Sequence, residues 1–192
     1  MGVFLEKCKK IAPFLKLSAA IKSEERTHQL KGELFLKAYI GEELVYDYHK
    51  SNIIVNTASI LIARLLKDNK EPISGISYLA IGSGNGSWDL FDPPAPTTSQ
   101  SRLENEFFRK AIDFKTFVHP DTGEPTTSKT NIVDYSATFS EAEAVGPIVE
   151  MGLFGGDATA ELNSGTMVNW RTFPVINKTS TMTVTVIFRI TA

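Results

Sequence analysis

The sequence lacks most of the residues from which chemical sites are built. A single cysteine, Cys8, among 192 residues excludes an intrachain disulfide and a zinc site of several cysteines. No run of about 18 apolar residues occurs, so no membrane-spanning helix is predicted. The first residues mix charges with apolar residues and do not have the pattern of a secretory signal. These absences indicate a soluble globular protein that is held together by burial alone.

The charge balance argues against one class of partner. Lys and Arg number 20 and Asp and Glu number 22, which leaves a net charge of -2 with neutral histidines. A protein that binds nucleic acid through phosphates generally has a basic surface. We therefore expect neither a nucleic acid nor a membrane as a partner.

Motifs for catalysis and cofactor binding are also missing. The Gly82–Gly86 stretch follows a predicted strand, but it lacks the Gly-Lys-Ser/Thr ending of a P-loop and the third glycine of a dinucleotide motif. Ser83 lacks the spacing of a nucleophile elbow. The histidines are too far apart for a two-histidine helical motif, at His28, His49 and His119. We expect no catalytic residue, no cofactor and no metal.

Several glutamates are the remaining candidates for acid–base chemistry, namely Glu104, Glu106, Glu141, Glu143 and Glu150. Residues two apart lie on one face of a strand, and paired carboxylates are what a glycosidase needs. Charged residues at alternate positions are more often the solvated side of a strand. The sequence therefore favours a protein that is not an enzyme.

The last dozen residues contain the clearest structural pattern. The apolar residues Met182, Val184, Val186, Phe188 and Ile190 alternate with a set that is mostly threonine. A period of two predicts a strand with one face on a core. On the opposite face, Thr183 and Thr185 can hydrogen-bond to a neighbour, and we predict them as subunit contacts.

The rest of the chain predicts a mainly β fold. Alternation predicts a hairpin over 33–48 with its turn at Gly41 and Glu42, and helical periodicity predicts one helix at about 56–68. Further strands are predicted over 76–81, 107–118, 132–139, 148–154 and 167–173. The predicted class is an antiparallel β-sandwich or barrel over residues 31–192, with one embedded helix and an N-terminal helical arm.

Residues 1–30 are predicted to be that arm. Apolar residues alternate with lysines, and Pro13 divides the segment into two short helical pieces. Phe14 and Leu15 are predicted to contact another subunit. The alternatives are a helix that packs on its own domain and a helix at a membrane surface, and the second is disfavoured because glutamates accompany the lysines.

Three predicted loops, 82–102, 119–130 and 155–166, are longer than a compact domain needs. Such loops are often functional or ordered by a partner. The first contains three prolines and the aromatic residues Trp88 and Phe91. We expect these two rings to anchor in a neighbouring subunit; the alternative is that they fold back onto their own domain.

One resemblance covers about residues 34–190. It rests on the order of seven short segments, which begin at Asn52 (NIIVN), Ala63 (ARLL), Ile76 (ISYLAIGSG), Leu103 (LENEFFRK), Ala137 (ATF), Ile148 (IVEMGLF) and Arg171 (RTFPVINKT). This succession resembles small structural proteins of tailed bacteriophages, of the tail, fibre, baseplate or decoration type.

The resemblance implies a virion component that is made in the cytoplasm of a bacterial host. Such a protein functions by assembling with itself and with other virion proteins. We expect a non-enzymatic oligomer in the tail, baseplate or neck. Two alternatives remain open: a capsid decoration (cement) protein, and a carbohydrate-binding module in which Trp88 and Phe91 stack on a glycan of the host surface.

Overall fold

The structure, a computed structural model, describes residues 30–67 and 74–192. The predicted arm contacts Phe14 and Leu15 lie outside these residues. The elements, in chain order, are β1 (Lys31–Ile40), β2 (Glu43–Ile54), α1 (Thr57–Lys67), β3 (Ser74–Gly82), β4 (Glu106–Ala111), β5 (Phe114–Val118), β6 (Pro125–Thr126), β7 (Ile132–Phe139), β8 (Gly146–Gly156), β9 (Thr166–Lys178) and β10 (Met182–Thr191).

The prediction of a mainly β, antiparallel fold with one helix is confirmed for the described residues. The ten strands form a single sheet in the order β4-β3-β8-β9-β2-β1-β10-β7-β5-β6. Strand β2 joins two parts of this sheet, because most of it pairs with β1 while Ile53 and Ile54 pair with β9. We call the part of the sheet made of β4, β3, β8 and β9 the β9 half. The part made of β2, β1, β10, β7, β5 and β6 is the β1 half.

The two halves share one hydrophobic core. In the β1 half, alternate residues of β1 and β10 are buried, including Leu36 and Val186, which are paired in register. They belong to the same cluster as Met151 and Phe173 of the β9 half. The predicted inward face of the closing strand, from Met182 to Ile190, is confirmed, since all five of its apolar residues are buried.

The β9 half is also buried on its outer face. Every residue of β8 from Ile148 to Gly156 is buried, although a sheet with one wet face would bury only alternate residues. A second cluster lies on the outer side, around Phe154 and Trp170, and includes Leu103 from the long connection between β3 and β4. We call residues 83–105 the cover segment.

The predicted strand over 107–118 is wrong in one respect, because it is two strands. β4 pairs with β3 in the β9 half, whereas β5 pairs with β7 in the β1 half. The backbone N–H of Ile112 donates to Ser77, and that of Asp113 donates to Ser136. The chain therefore crosses from one half of the sheet to the other at these two residues.

Strand β9 continues past its predicted end at Phe173 to Lys178. It passes through Pro174, which lies at an irregularity in the pairing with β8 and is exposed. Proline cannot donate to a β-ladder, and a bulge is one of the places that tolerate it. Asn177 and Lys178 therefore belong to this strand.

Candidate assembly surfaces

Helix α1 exposes most of its apolar residues. Only Ala58 and Leu61 are buried, and the Thr57 hydroxyl donates to the Met167 carbonyl at 2.6 Å, which fixes the start of the helix on β9. The large apolar residues that stay exposed are Ile60, Ile62, Leu65 and Leu66, the last of which is 81% exposed. The apolar side of the helix is therefore wider than the part that the sheet covers. Its outer face is therefore a candidate contact surface.

A groove of about 800 Å³ lies beside the start of this helix. Its apolar lining includes Leu30, Ile53 and Val55, together with Ala58 and Ile62 of α1. The groove lies where β1 stops pairing with β2, at Gly32 and Asn52. We call it the α1 groove.

Asn52, which also lines the α1 groove, is a buried polar residue without a partner. It is 8% exposed, and neither its amide oxygen nor its amide nitrogen has a hydrogen bond. A Cβ atom at Gly32 would lie 1.9 Å from the Asn52 oxygen, so a larger residue at position 32 would displace the Asn52 side chain. Leaving a buried amide unpaired costs about 1 to 3 kcal/mol, which makes this position unusual.

The outer face of the β1 half carries the predicted contacts Thr183 and Thr185. Both are partly exposed, and the Thr185 hydroxyl lies 3.2 Å from that of Thr138 on β7. Nearby, Arg189 donates two hydrogen bonds to Asp134, and its guanidinium lies 5.4 Å from the centre of the Phe35 ring. This face combines hydroxyl, charged and aromatic groups, and its role as a contact stays a prediction.

The cover segment is held by its own chain along its length. The backbone N–H of Val175 donates to Leu90, the hydroxyl of Thr172 donates to Pro94, and the backbone N–H of Asn56 donates to Thr98, all at 2.7 to 2.8 Å. This loop therefore has partners of its own and does not need a second chain to order it.

The two aromatic residues of the cover segment have different environments. Trp88 is half-buried and packs on Trp170, with the ring centres 6.4 Å apart. Phe91 is 77% exposed. Their contact with a neighbouring subunit stays a prediction, and of the two rings Phe91 has the greater area free for it.

Two of the candidate glutamates, Glu106 and Glu143, form hydrogen bonds within the fold. Glu106 forms a buried bidentate ion pair with Arg109, and Glu143 accepts hydrogen bonds from the Ser140 backbone N–H and from Lys110. The Ser140 N–H, with a smaller contribution from Lys110, holds the pKa of Glu143 below its ordinary value. The carboxylates of Glu106 and Glu143 therefore already have partners within the fold.

Sequence reasoning missed two of the buried charged residues. Arg109 also donates to the carbonyls of Thr159 and Ser164, and so ties the loop between β8 and β9 to β4. Lys178 is 2% exposed and donates to the Ser140 carbonyl at 2.7 Å. Burial lowers the pKa of Lys178. Nothing in the local sequence distinguishes either residue from a solvated charge.

Glu150 lies at the base of the cover segment and is fully buried. Its carboxylate accepts hydrogen bonds from the indole N–H of Trp170 at 2.9 Å and from the backbone N–H of Asn105 at 3.1 Å. Burial raises the pKa of Glu150, and this effect exceeds the opposing effect of the hydrogen bonds. The carboxylate thus joins β8, β9 and the end of the cover segment.

The raised pKa of Glu150 predicts a dependence of stability on pH. The folded state binds this proton more tightly than the unfolded state, so the free energy of unfolding falls as the pH rises from the ordinary value of about 4.5 to the raised value. We expect Glu150→Gln to lose this decline when urea unfolding is followed from pH 4 to pH 8. The exposed Glu42→Gln variant should keep it, and parallel curves for wild type and Glu150→Gln would contradict the prediction.

The described ranges, 30–67 and 74–192, contain no group of three His, Cys, Asp or Glu residues that is arranged to hold a metal ion. Their single helix is too short to cross a membrane. Comparison with models of protein families found no match for the chain, and comparison with curated proteins also found none.

Proposed function

We propose that the chain is a non-enzymatic structural subunit of a tailed-bacteriophage particle. It assembles as a homo-oligomer, together with other virion proteins, in the tail, baseplate or neck. Decoration of the capsid is the alternative location. The succession of segments from Asn52 to Thr179 supports the phage assignment by resemblance, and the surface of the fold supports assembly.

The exposed apolar face of α1 is the observation that carries the proposal of assembly. Each large exposed side chain there costs about 1.5 to 3 kcal/mol relative to burial. Monomeric proteins rarely keep a contiguous apolar patch of this kind in water, and such patches mark interaction sites. Assembly with another copy would cover the face and recover this free energy.

Sedimentation equilibrium of the purified full chain tests the proposal directly. A subunit that assembles is expected to give a mass that is an integral multiple of 21.2 kDa. A mass of one chain at every concentration up to the millimolar range would contradict homo-oligomer formation. The fit of this fold to density in an electron-microscopy map of the whole particle would test the location.

The threonine face of β10 gives a prediction about this assembly. Thr185→Lys should leave the fold intact, because the side chain lies outside the core, and should weaken association about tenfold by placing an ammonium group in the contact. The measurement is the dissociation constant from sedimentation, beside the thermal midpoint of the monomer. The matched control is Thr127→Lys on an exposed loop. Equal association of both variants would exclude this face as a contact.

One observation favours a second candidate function, the binding of a host-surface glycan. A cavity of about 260 Å³ lies between the cover segment and the sheet, and it is lined by Asp92, Tyr48 and Arg171. A carboxylate, a guanidinium and an aromatic ring can bind sugar hydroxyls and stack on a sugar ring. Asp92 follows the exposed Phe91 in sequence. Loss of a glycan-array signal in Asp92→Ala would support this function, and absence of any signal for the wild type would exclude it.

A further inference from the structure

The α1 groove and one side of α1 form a continuous apolar surface. Ile62 lines the groove, and Leu66, four residues later, lies on the same side of the helix. Leu66 is 81% exposed, so this side of the helix is open along its length. A ligand that covered the groove and this side of α1 would therefore bury apolar area on both.

The groove also has the polar groups that a peptide needs. The unpartnered Asn52 amide has both a donor and an acceptor free, and a peptide group offers the complementary pair. Strand β1 stops pairing with β2 at Gly32 and Asn52, whereas Ile53 and Ile54 pair with β9 on their other side. No strand of the described residues lies along the β1 side of these two residues. An added peptide could pair with this edge.

We propose that the apolar part of the N-terminal segment, residues 3–21 of a second copy of this chain, occupies the α1 groove and the adjoining side of α1. This inference rests on the proposed function, since it names the contact by which copies assemble. The segment and the surface are present on every copy, so one type of contact can join all subunits of a ring or a dimer.

Two properties of the segment fit this site. Its apolar residues match the apolar surface, and they are Val3, Phe4, Leu5, Ile11, Phe14, Leu15, Leu17 and Ile21. The segment joins the described chain at Leu30, which itself lines the groove.

The residues between the apolar part of the segment and the described chain determine how far it can reach. The residues between Ile21 and Leu30 are mostly polar, and they match the apolar groove poorly. Eight extended residues reach about 26 Å. The apolar part can therefore reach the groove of another copy that lies within this distance.

The experiment is photo-crosslinking in the full chain, with p-benzoylphenylalanine in place of Leu66. This position is exposed, so the substitution does not disturb the core. Equal amounts of ¹⁴N- and ¹⁵N-labelled protein are mixed, dissociated and reassembled, and crosslinked peptides are identified by mass spectrometry. We expect crosslinks from position 66 to residues 3–21, with mixed isotope pairs. The control carries the same photo-reactive residue at Leu44, which is exposed on the first hairpin and should not label the segment.

The outcomes separate this inference from the proposed function. Crosslinks to residues 3–21 in mixed isotope pairs support it. An oligomer whose crosslinks fall elsewhere, or only within one chain, overturns it and leaves assembly standing. A chain that is monomeric at all concentrations overturns the proposed assembly and this inference together.

A pair of substitutions gives a second readout of the same contact. Leu66→Asp is expected to weaken association about tenfold or more, whereas Leu44→Asp, of the same chemistry at another exposed site, should not change it. Both variants should keep the far-ultraviolet circular dichroism spectrum of the wild type. Equal association of the two folded variants would overturn the assignment of the α1 surface.

Discussion

Replacing Val186 by aspartate is expected to unfold the protein or make it insoluble. Val186 lies in the centre of β10, is fully buried, and pairs with Leu36 on one side and Ala137 on the other. The substitution removes about 1.5 to 3 kcal/mol of apolar burial and places a carboxylate where no partner is available. A buried charge without a partner costs several kcal/mol more, and the sum is comparable with the whole free energy of unfolding of a domain, about 5 to 15 kcal/mol.

The matched control is Thr183→Asp, on the same strand but on its outer face. It introduces the same charge on the same backbone, so the difference between the two variants measures the burial of position 186. Solubility after expression and the circular dichroism melting curve are the measurements. A Val186→Asp protein that melts at the wild-type temperature would show that β10 does not face the core in solution.

The closing strand was predictable because one face is wet. Where a strand has one buried and one solvated side, apolar and polar residues alternate along the sequence. They do so from Met182 to Ile190. Strand β1 shows the same pattern, and the hairpin turn at Gly41 has φ +58°, a conformation that glycine adopts without strain. These elements could be predicted because their local sequence pattern matches the burial of their residues.

The β9 half could not be predicted as fully from the alternation of apolar and polar residues. Strand β8 is buried on both faces, and its apolar run is a recognised sign of such burial, but the sequence does not show what covers the second face. The cover lies in residues 83–105, whose proline and glycine content indicates only a loop. Its attachment depends on pairs far apart in the chain, such as Asn105 with Glu150.

The candidate assembly surface could also be predicted only in part from the sequence. The apolar character of α1 is visible in the sequence, and its periodicity predicts the helix. Only the three-dimensional arrangement reveals that Ala58 and Leu61 are buried while Ile60 and Leu66 are exposed. The unpaired Asn52 amide lies beside Gly32 of the neighbouring strand, a contact between strands that no local pattern indicates.

Removing the guanidinium of Arg109 is expected to destabilise the protein by about 3 to 5 kcal/mol, because it leaves a buried carboxylate without its partner. In the native fold Arg109 donates to both oxygens of Glu106, one at 2.9 Å, and to the carbonyl oxygens of Thr159 and Ser164. Its guanidinium also lies 4.8 Å from the centre of the Phe154 ring. The measurement is the free energy of unfolding of Arg109→Met in urea.

Two comparisons test whether the stranded charge is the cause. The double variant Glu106→Gln/Arg109→Met removes that charge, and it should be more stable than Arg109→Met alone by about 1 kcal/mol or more. Arg189→Met breaks another bidentate pair, with Asp134, whose side chains are 22% and 15% exposed. It should cost only about 1 kcal/mol, since solvent can reach the carboxylate that remains. If Arg109→Met and Arg189→Met lost the same stability, burial of the Glu106 carboxylate would not explain the effect, and the loss would have to come from packing around the arginine stem.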